Sequence, residues 1–97
     1  MLHTVNKSPF THKTLDECAR FALEGAPILL LEDGVYAAVA GSAYEPKLKE
    51  IMKGREVYAI SADIKARGIE RVVENVKVVG YDVFVDLVEK HKTHSWV

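Results

Sequence analysis

Residues 27–31 read PILLL, an unbroken apolar run with turn-forming residues on either side, Gly25 before it and Asp33-Gly34 after it. A strand with one solvated face alternates apolar and polar residues; a strand without alternation is buried on both faces, as in the interior of a parallel sheet. Parallel neighbours need crossover connections, so this run predicts helices above and below the sheet.

The rest of the chain supplies such a pattern. LHTV places Leu2 and Val5 in a short first strand that breaks at KSPF. Thr14 with Glu17 three residues later forms a capping-box pattern, which predicts a helix from Thr14 to about Glu24, stopped by Gly25. Glu32-Asp33-Gly34 closes the PILLL strand. The following VYAAVAG is open to two readings, because Asp-Gly between apolar runs also signals a hairpin; its alanines and the α/β setting favour a short helix.

Leu48, Ile51 and Met52 recur at helical spacing behind Pro46, predicting a helix over residues 44–53. In REVYAIS, a third strand, Val57, Ala59 and Ser61 share one side and Tyr58 and Ile60 the other. Asp63 is expected to cap a short turn that Gly68 ends. VKVVG is a fourth strand, YDVFVDLVEKHK a final helix with Val83, Phe84, Leu87 and Val88 on one face, and HSWV a candidate fifth strand at an edge. The expected architecture is therefore one α/β domain over residues 1–97, with a mostly parallel four- or five-stranded sheet and helices on both faces.

Composition narrows the function classes. Thirteen basic residues balance fourteen acidic ones for a net charge of −1, which argues against electrostatic binding of nucleic acid or a membrane surface. APILLL falls far short of the ~20 residues a membrane helix requires. One cysteine forms no internal disulfide, and MLHTVNKSPF has no long apolar stretch, so the cytoplasm is the expected compartment.

In open parallel sheets, binding groups gather where strands end and helices begin. That edge carries Asn6, Lys7 and Ser8, then Glu32 and Asp33, then Ser61 and Asp63, then Tyr81 and Asp82. Capping and turn formation account for most of these residue types. No glycine-rich phosphate loop is present, and no cofactor is expected. His91 and His94, three apart, could share a helix face, but nothing completes a four-ligand zinc set, so no metal is expected either. Lys90, His91 and Lys92 suit the negative end of the last helix.

Cys18 is the one candidate nucleophile. It lies past the first-turn amides of its helix, Asp16 and Glu17 oppose a thiolate, and Arg20 points to another side. Its stripe holds Leu15, Ala19 and Ala22, which favours a buried packing thiol; a reactive thiol in a partner-facing cleft is the alternative.

LHTVNKSPF, EGAPILLLEDGVYAAVAG, VYAISADIKARGI, VVGYDVFVDLVEKH and the C-terminal SW together resemble the DsrH/TusB family, small subunits of the DsrEFH and TusBCD sulfur-relay complexes. The resemblance implies a three-layer DsrE-like fold and a heterohexamer with DsrE/TusD-like and DsrF/TusC-like subunits. It implies transfer of persulfide sulfur to a DsrC/TusE-like acceptor, for wobble-uridine 2-thiolation of tRNA or for sulfur oxidation. The main sulfur-carrying cysteine then belongs to the DsrE/TusD subunit, and this chain is an accessory, noncatalytic one. Cys18 matches a first-helix cysteine of DsrH proteins, which implies a contact with the acceptor protein.

Two other functions compete with this one: a freestanding α/β module that binds a small ligand or protein, and a self-sufficient sulfurtransferase working through Cys18. Trp96, so near the end of the sequence, is either docked on its own domain or buried at a subunit contact.

Overall fold

The computed structural model describes residues 1–97. The elements follow in the order β1 (Leu2–Val5), α1 (Thr14–Phe21), β2 (Ile28–Leu30), a 3₁₀ segment (Glu32–Ala38), α2 (Glu45–Ile51), β3 (Val57–Ile60), α3 (Ser61–Ala66), β4 (Lys77–Val79), α4 (Tyr81–Lys90) and β5 (Thr93–Trp96). The five strands form one sheet in the order β4-β3-β2-β1-β5, and every pairing is parallel. HSWV therefore does add an edge strand, with Trp96 in register with Val5.

β2 lies in the middle of this sheet, and Ile28, Leu29 and Leu30 are fully buried, as the unbroken run requires. The period-2 rule sorts the core into two layers. On one face, Val5, Ile28, Leu30, Val57 and Ala59 pack against Leu15 and Cys18 of α1, Val35, Ala37 and Ala38 of the 3₁₀ segment, Tyr44 and Leu48 beside and within α2, and Ile64 of α3. On the other face, Leu2, Leu29, Tyr58 and Ile60 are joined by Phe84 and Leu87 of α4. Strands β1 to β4 advance in one direction across the sheet, and β5 returns beside β1. Because parallel crossovers are right-handed, that reversal sets α4 on the opposite face from the earlier helices.

Gly34 explains why Asp-Gly makes no hairpin here. A Cβ on this residue would lie 2.2 Å from the carbonyl oxygen of Val5, so the 3₁₀ segment crosses directly over the end of β1. The helical reading of VYAAVAG holds for Val35–Ala38 only, within a 3₁₀ segment that starts at Glu32; Val39 is extended and forms an antiparallel bridge with Val72.

Four local expectations are corrected. Lys13, not Thr14, occupies the position before α1, its carbonyl accepts the Glu17 N–H at 2.9 Å, and no side chain caps the helix. The helix also ends at Phe21, because Ala22 is extended with ψ 132; Gly25, at φ +82, serves the turn into β2 instead. Asp63 does not cap a turn: α3 starts at Ser61 directly from β3, which puts Asp63 inside its first turn. His91 ends α4 and His94 lies on β5, so the two share no helix face.

Candidate functional site

The carboxyl edge of the sheet brings together some of the expected residues and assigns them structural work. Glu32 has a left-handed backbone, φ +49, which is strained for a residue with a Cβ. Its N–H donates to Asp63 Oδ2 at 2.8 Å. Arg67 Nε donates to Asp33 Oδ1 at 2.9 Å, Nη1 donates to the Asp63 carbonyl at 3.3 Å, and the guanidinium lies 6.0 Å from the centre of the Tyr36 ring. Asp33, Asp63 and Arg67 thus clamp the 3₁₀ segment to α3. The partner that draws these acids together, Arg67, sits at the far end of α3, outside the loops that directly follow the strands.

Ser8 is buried and its Oγ accepts the Phe10 N–H at 3.2 Å, a turn-forming role. Asn6 is half-buried, and its Oδ1 is buried without a partner. Tyr81 and Asp82 follow β4, three strands away from β1, which Asn6 and Lys7 follow. An open groove of about 510 Å³ runs along the rim, with Phe10, Tyr36, Ile69 and Arg71 in its walls. No group of three or more His, Cys, Asp or Glu is placed to hold a metal ion.

Cys18 has no accessible surface. Its stripe on α1 faces the sheet, with Leu15 also buried and Ala19 half-buried. Burial pushes the thiol up to about 11, and only the positive charge of Arg55 works against that. Neither a helix N-terminus nor a histidine assists it, so the group is a neutral thiol at physiological pH. A partner touches it only if α1 lifts from the sheet.

One cluster lay outside the sequence reading. On the rim of β1 and β5, Trp96 Nε1 donates to His3 Nδ1 at 3.0 Å, and the indole packs 4.8 Å from the His94 ring and 5.8 Å from that of Phe21. Trp96 is therefore docked on its own chain, half-buried. Burial first, and then the charge of His94, lowers the pKa of His3, which must stay unprotonated at Nδ1 to accept the indole N–H. The available signal was a histidine on a strand otherwise made of core residues, with a tryptophan at the other end of the chain.

These features define a small three-layer α/β protein with an all-parallel sheet, the architecture also found in the crystal structure of YchN from E. coli. That protein matches with a TM-score of 0.80 at 16% identity, over 98% of this chain and 97% of that one. Tm0979 from Thermotoga maritima matches at 0.61 and 28% identity, over 95% of both chains. Within that class the chain belongs to the DsrH family: residues 7–94 match the family described as DsrH like protein. Relatives named Protein TusB agree at near full length. That of Serratia proteamaculans is 39% identical over 99% of this chain and 100% of its own, and that of Escherichia coli K12 is 38% identical over the same shares.

Proposed function

We propose that this chain is an accessory, noncatalytic subunit of a cytoplasmic sulfur-relay complex that serves tRNA 2-thiolation. The near-full-length match to TusB proteins carries the reading. The chemistry of the chain supports it: persulfide transfer needs an accessible thiolate, and the single cysteine is a buried, neutral thiol. The transferred sulfur is then held by cysteines of other chains, DsrE/TusD-like and DsrF/TusC-like subunits, and passed to a DsrC/TusE-like acceptor. No helix here is long and apolar enough to cross a membrane, in keeping with such a place.

Deleting the gene from its host and measuring 2-thiouridine in bulk tRNA by mass spectrometry tests this. Loss of the modification, restored by the wild type and by Cys18→Ala, is the expected result. Undiminished thiolation would remove the chain from that pathway. Restoration by wild type but not by Cys18→Ala or Cys18→Ser, with both variants folded, would return Cys18 to the transfer or to acceptor binding. The match of Cys18 to the first-helix cysteine of DsrH proteins favours one second reading, sulfur oxidation. Its mark would be intact tRNA and impaired oxidation of stored sulfur in the deletion strain.

A further inference from the structure

The contact between Trp96 and His3 is a bond that one proton reverses. An indole N–H only donates, and an imidazole nitrogen accepts only while it carries no proton. Trp96 Nε1 donates to His3 Nδ1 at 3.0 Å, so the docked form needs a neutral His3 with its one proton on Nε2. A proton taken from water onto Nδ1 sets two donors against each other with no acceptor between them.

Of the two residues, Trp96 is the one free to move. His3 is 6% exposed on β1, an interior strand, where its N–H donates to the Pro27 carbonyl at 3.1 Å. Ile28 pairs with it on one side and His94 on the other. β5 is an edge strand that pairs only with β1, and Thr93, His94 and Ser95 are exposed. Trp96 is its one apolar side chain against the core, and the only other side-chain bond between the two strands runs from Thr4 Oγ1 to Ser95 Oγ at 3.2 Å. A strand with so few buried contacts opens locally at low cost. It opens from the Trp96 end, because the Leu2 N–H holds the Lys92 carbonyl at 2.7 Å just before its start.

The charges brought up to His3 oppose a second positive charge there: His94 from β5, the amino group of Met1, and Arg55 from the segment before β3. Glu24 is the one acid lining the cleft that His3 shares with Met1, Phe21 and His91, and the ring is bonded to Trp96 rather than to it. Burial first, and then these charges, lower the pKa of the docked ring, whereas a ring freed of the indole titrates nearer the ordinary 6.5. Between those two values the open form gains about tenfold on the docked form for each unit that the pH falls.

We propose that β5 is a proton-operated latch: protonation of His3 at Nδ1 expels the Trp96 indole, and the end of β5 peels away from β1. The open form uncovers the side of Phe21 against which the indole packs, and it bares the edge of β1. An unpaired strand edge is the part of a sheet most ready to pair with another chain, so acid conditions change what this side of the molecule offers.

Trp96 is the single tryptophan of the chain, so its signals read the latch directly. The full chain is titrated from about pH 7.5 to about 5, across the histidine range, while acrylamide quenching, the indole N–H resonance and far-ultraviolet dichroism are followed. The expected result is a one-proton rise in quenching and loss of the bonded indole signal, with a midpoint below 6.5 and unchanged dichroism. His3→Gln, which does not titrate, is expected to abolish the step. His94→Gln is expected to keep it and move its midpoint upward, because it removes a charge that opposes protonation of His3. Should His3→Gln fail to fold, Trp96→Phe carries the test: with no indole N–H to lose, the His3 ring should titrate closer to 6.5 by nuclear magnetic resonance. Quenching that stays flat with pH in the wild type, a step that persists in His3→Gln or vanishes in His94→Gln, a His3 midpoint unmoved by Trp96→Phe, or dichroism lost together with the indole signal would each overturn the latch.

Discussion

Replacing Gly34 by alanine adds one methyl group where the 3₁₀ segment crosses β1. The new Cβ would stand 2.2 Å from the Val5 oxygen and 3.0 Å from the Val5 carbon, against 3.4 Å for the start of ordinary contact, so the two backbones must part by about 1.2 Å. That opening strains the bond from the Leu31 N–H to the same Val5 oxygen, now 3.1 Å, whose loss in a buried setting costs about 1–3 kcal/mol. It also lifts Val35, Ala37 and Ala38, all fully buried, away from the sheet. A gap of about 1 Å forfeits up to half of each contact's dispersion energy.

Together these losses come to about 3–5 kcal/mol, a large share of the ~5–15 kcal/mol that holds a domain this size together. The Tm should fall by at least about 12 °C. Urea unfolding followed by far-ultraviolet dichroism and Trp96 fluorescence measures the change. Gly41→Ala is the matched control, because φ is +81 there and nothing lies within 4 Å of the added Cβ, leaving only the backbone cost of about 1–2 kcal/mol. If Gly34→Ala proved no more damaging than Gly41→Ala, the close crossing would not be what demands glycine at position 34.

Three further outcomes follow from the same structure. At pH 8 a thiol titrating near 11 is only ~0.1% thiolate, so iodoacetamide should label Cys18 about a hundredfold more slowly in native protein than in urea; equal rates would show an accessible thiol. His3 has a lowered pKa, so the unfolded chain takes up a proton that the folded one resists. Its contribution to stability is therefore present above the ordinary histidine value of 6.5 and is lost as pH falls from there toward the lowered folded value. Urea midpoints from pH 7.5 to 5 should drop more steeply for the wild type than for His3→Gln, and parallel curves would discharge His3 from that role. Asp63→Ala removes the acceptor of the Glu32 N–H and one side of the Arg67 clamp, an expected cost of about 1–2 kcal/mol in the same unfolding assay, with no loss expected from the exposed Glu17→Ala.

Much of the fold was legible because local pattern and tertiary burial agree. PILLL has no polar residue to present to water, so only an interior parallel strand satisfies it, and the two-sided strand REVYAIS divides between the two core layers as its alternation requires. The stripe of Cys18 was equally readable, since helix periodicity alone turns it to the side of Leu15. Helix ends were less legible. Thr14 and Glu17 fit a capping box, yet nothing local prevented Lys13 from starting the helical hydrogen bonds one residue earlier.

What the sequence by itself determined, then, was the class of sheet, the faces of its strands and the side of α1 on which its thiol lies, because these follow from period and polarity along a short stretch. Only the tertiary structure decided that Gly34 passes over the Val5 carbonyl, that Arg67 gathers Asp33 and Asp63, that Trp96 closes on His3 from the other end of the chain, and that α4 keeps Tyr81, Val85 and Val88 uncovered. Each of these depends on the distance between segments far apart in the chain, and that distance is set by strand order and crossover hand, which no local pattern encodes.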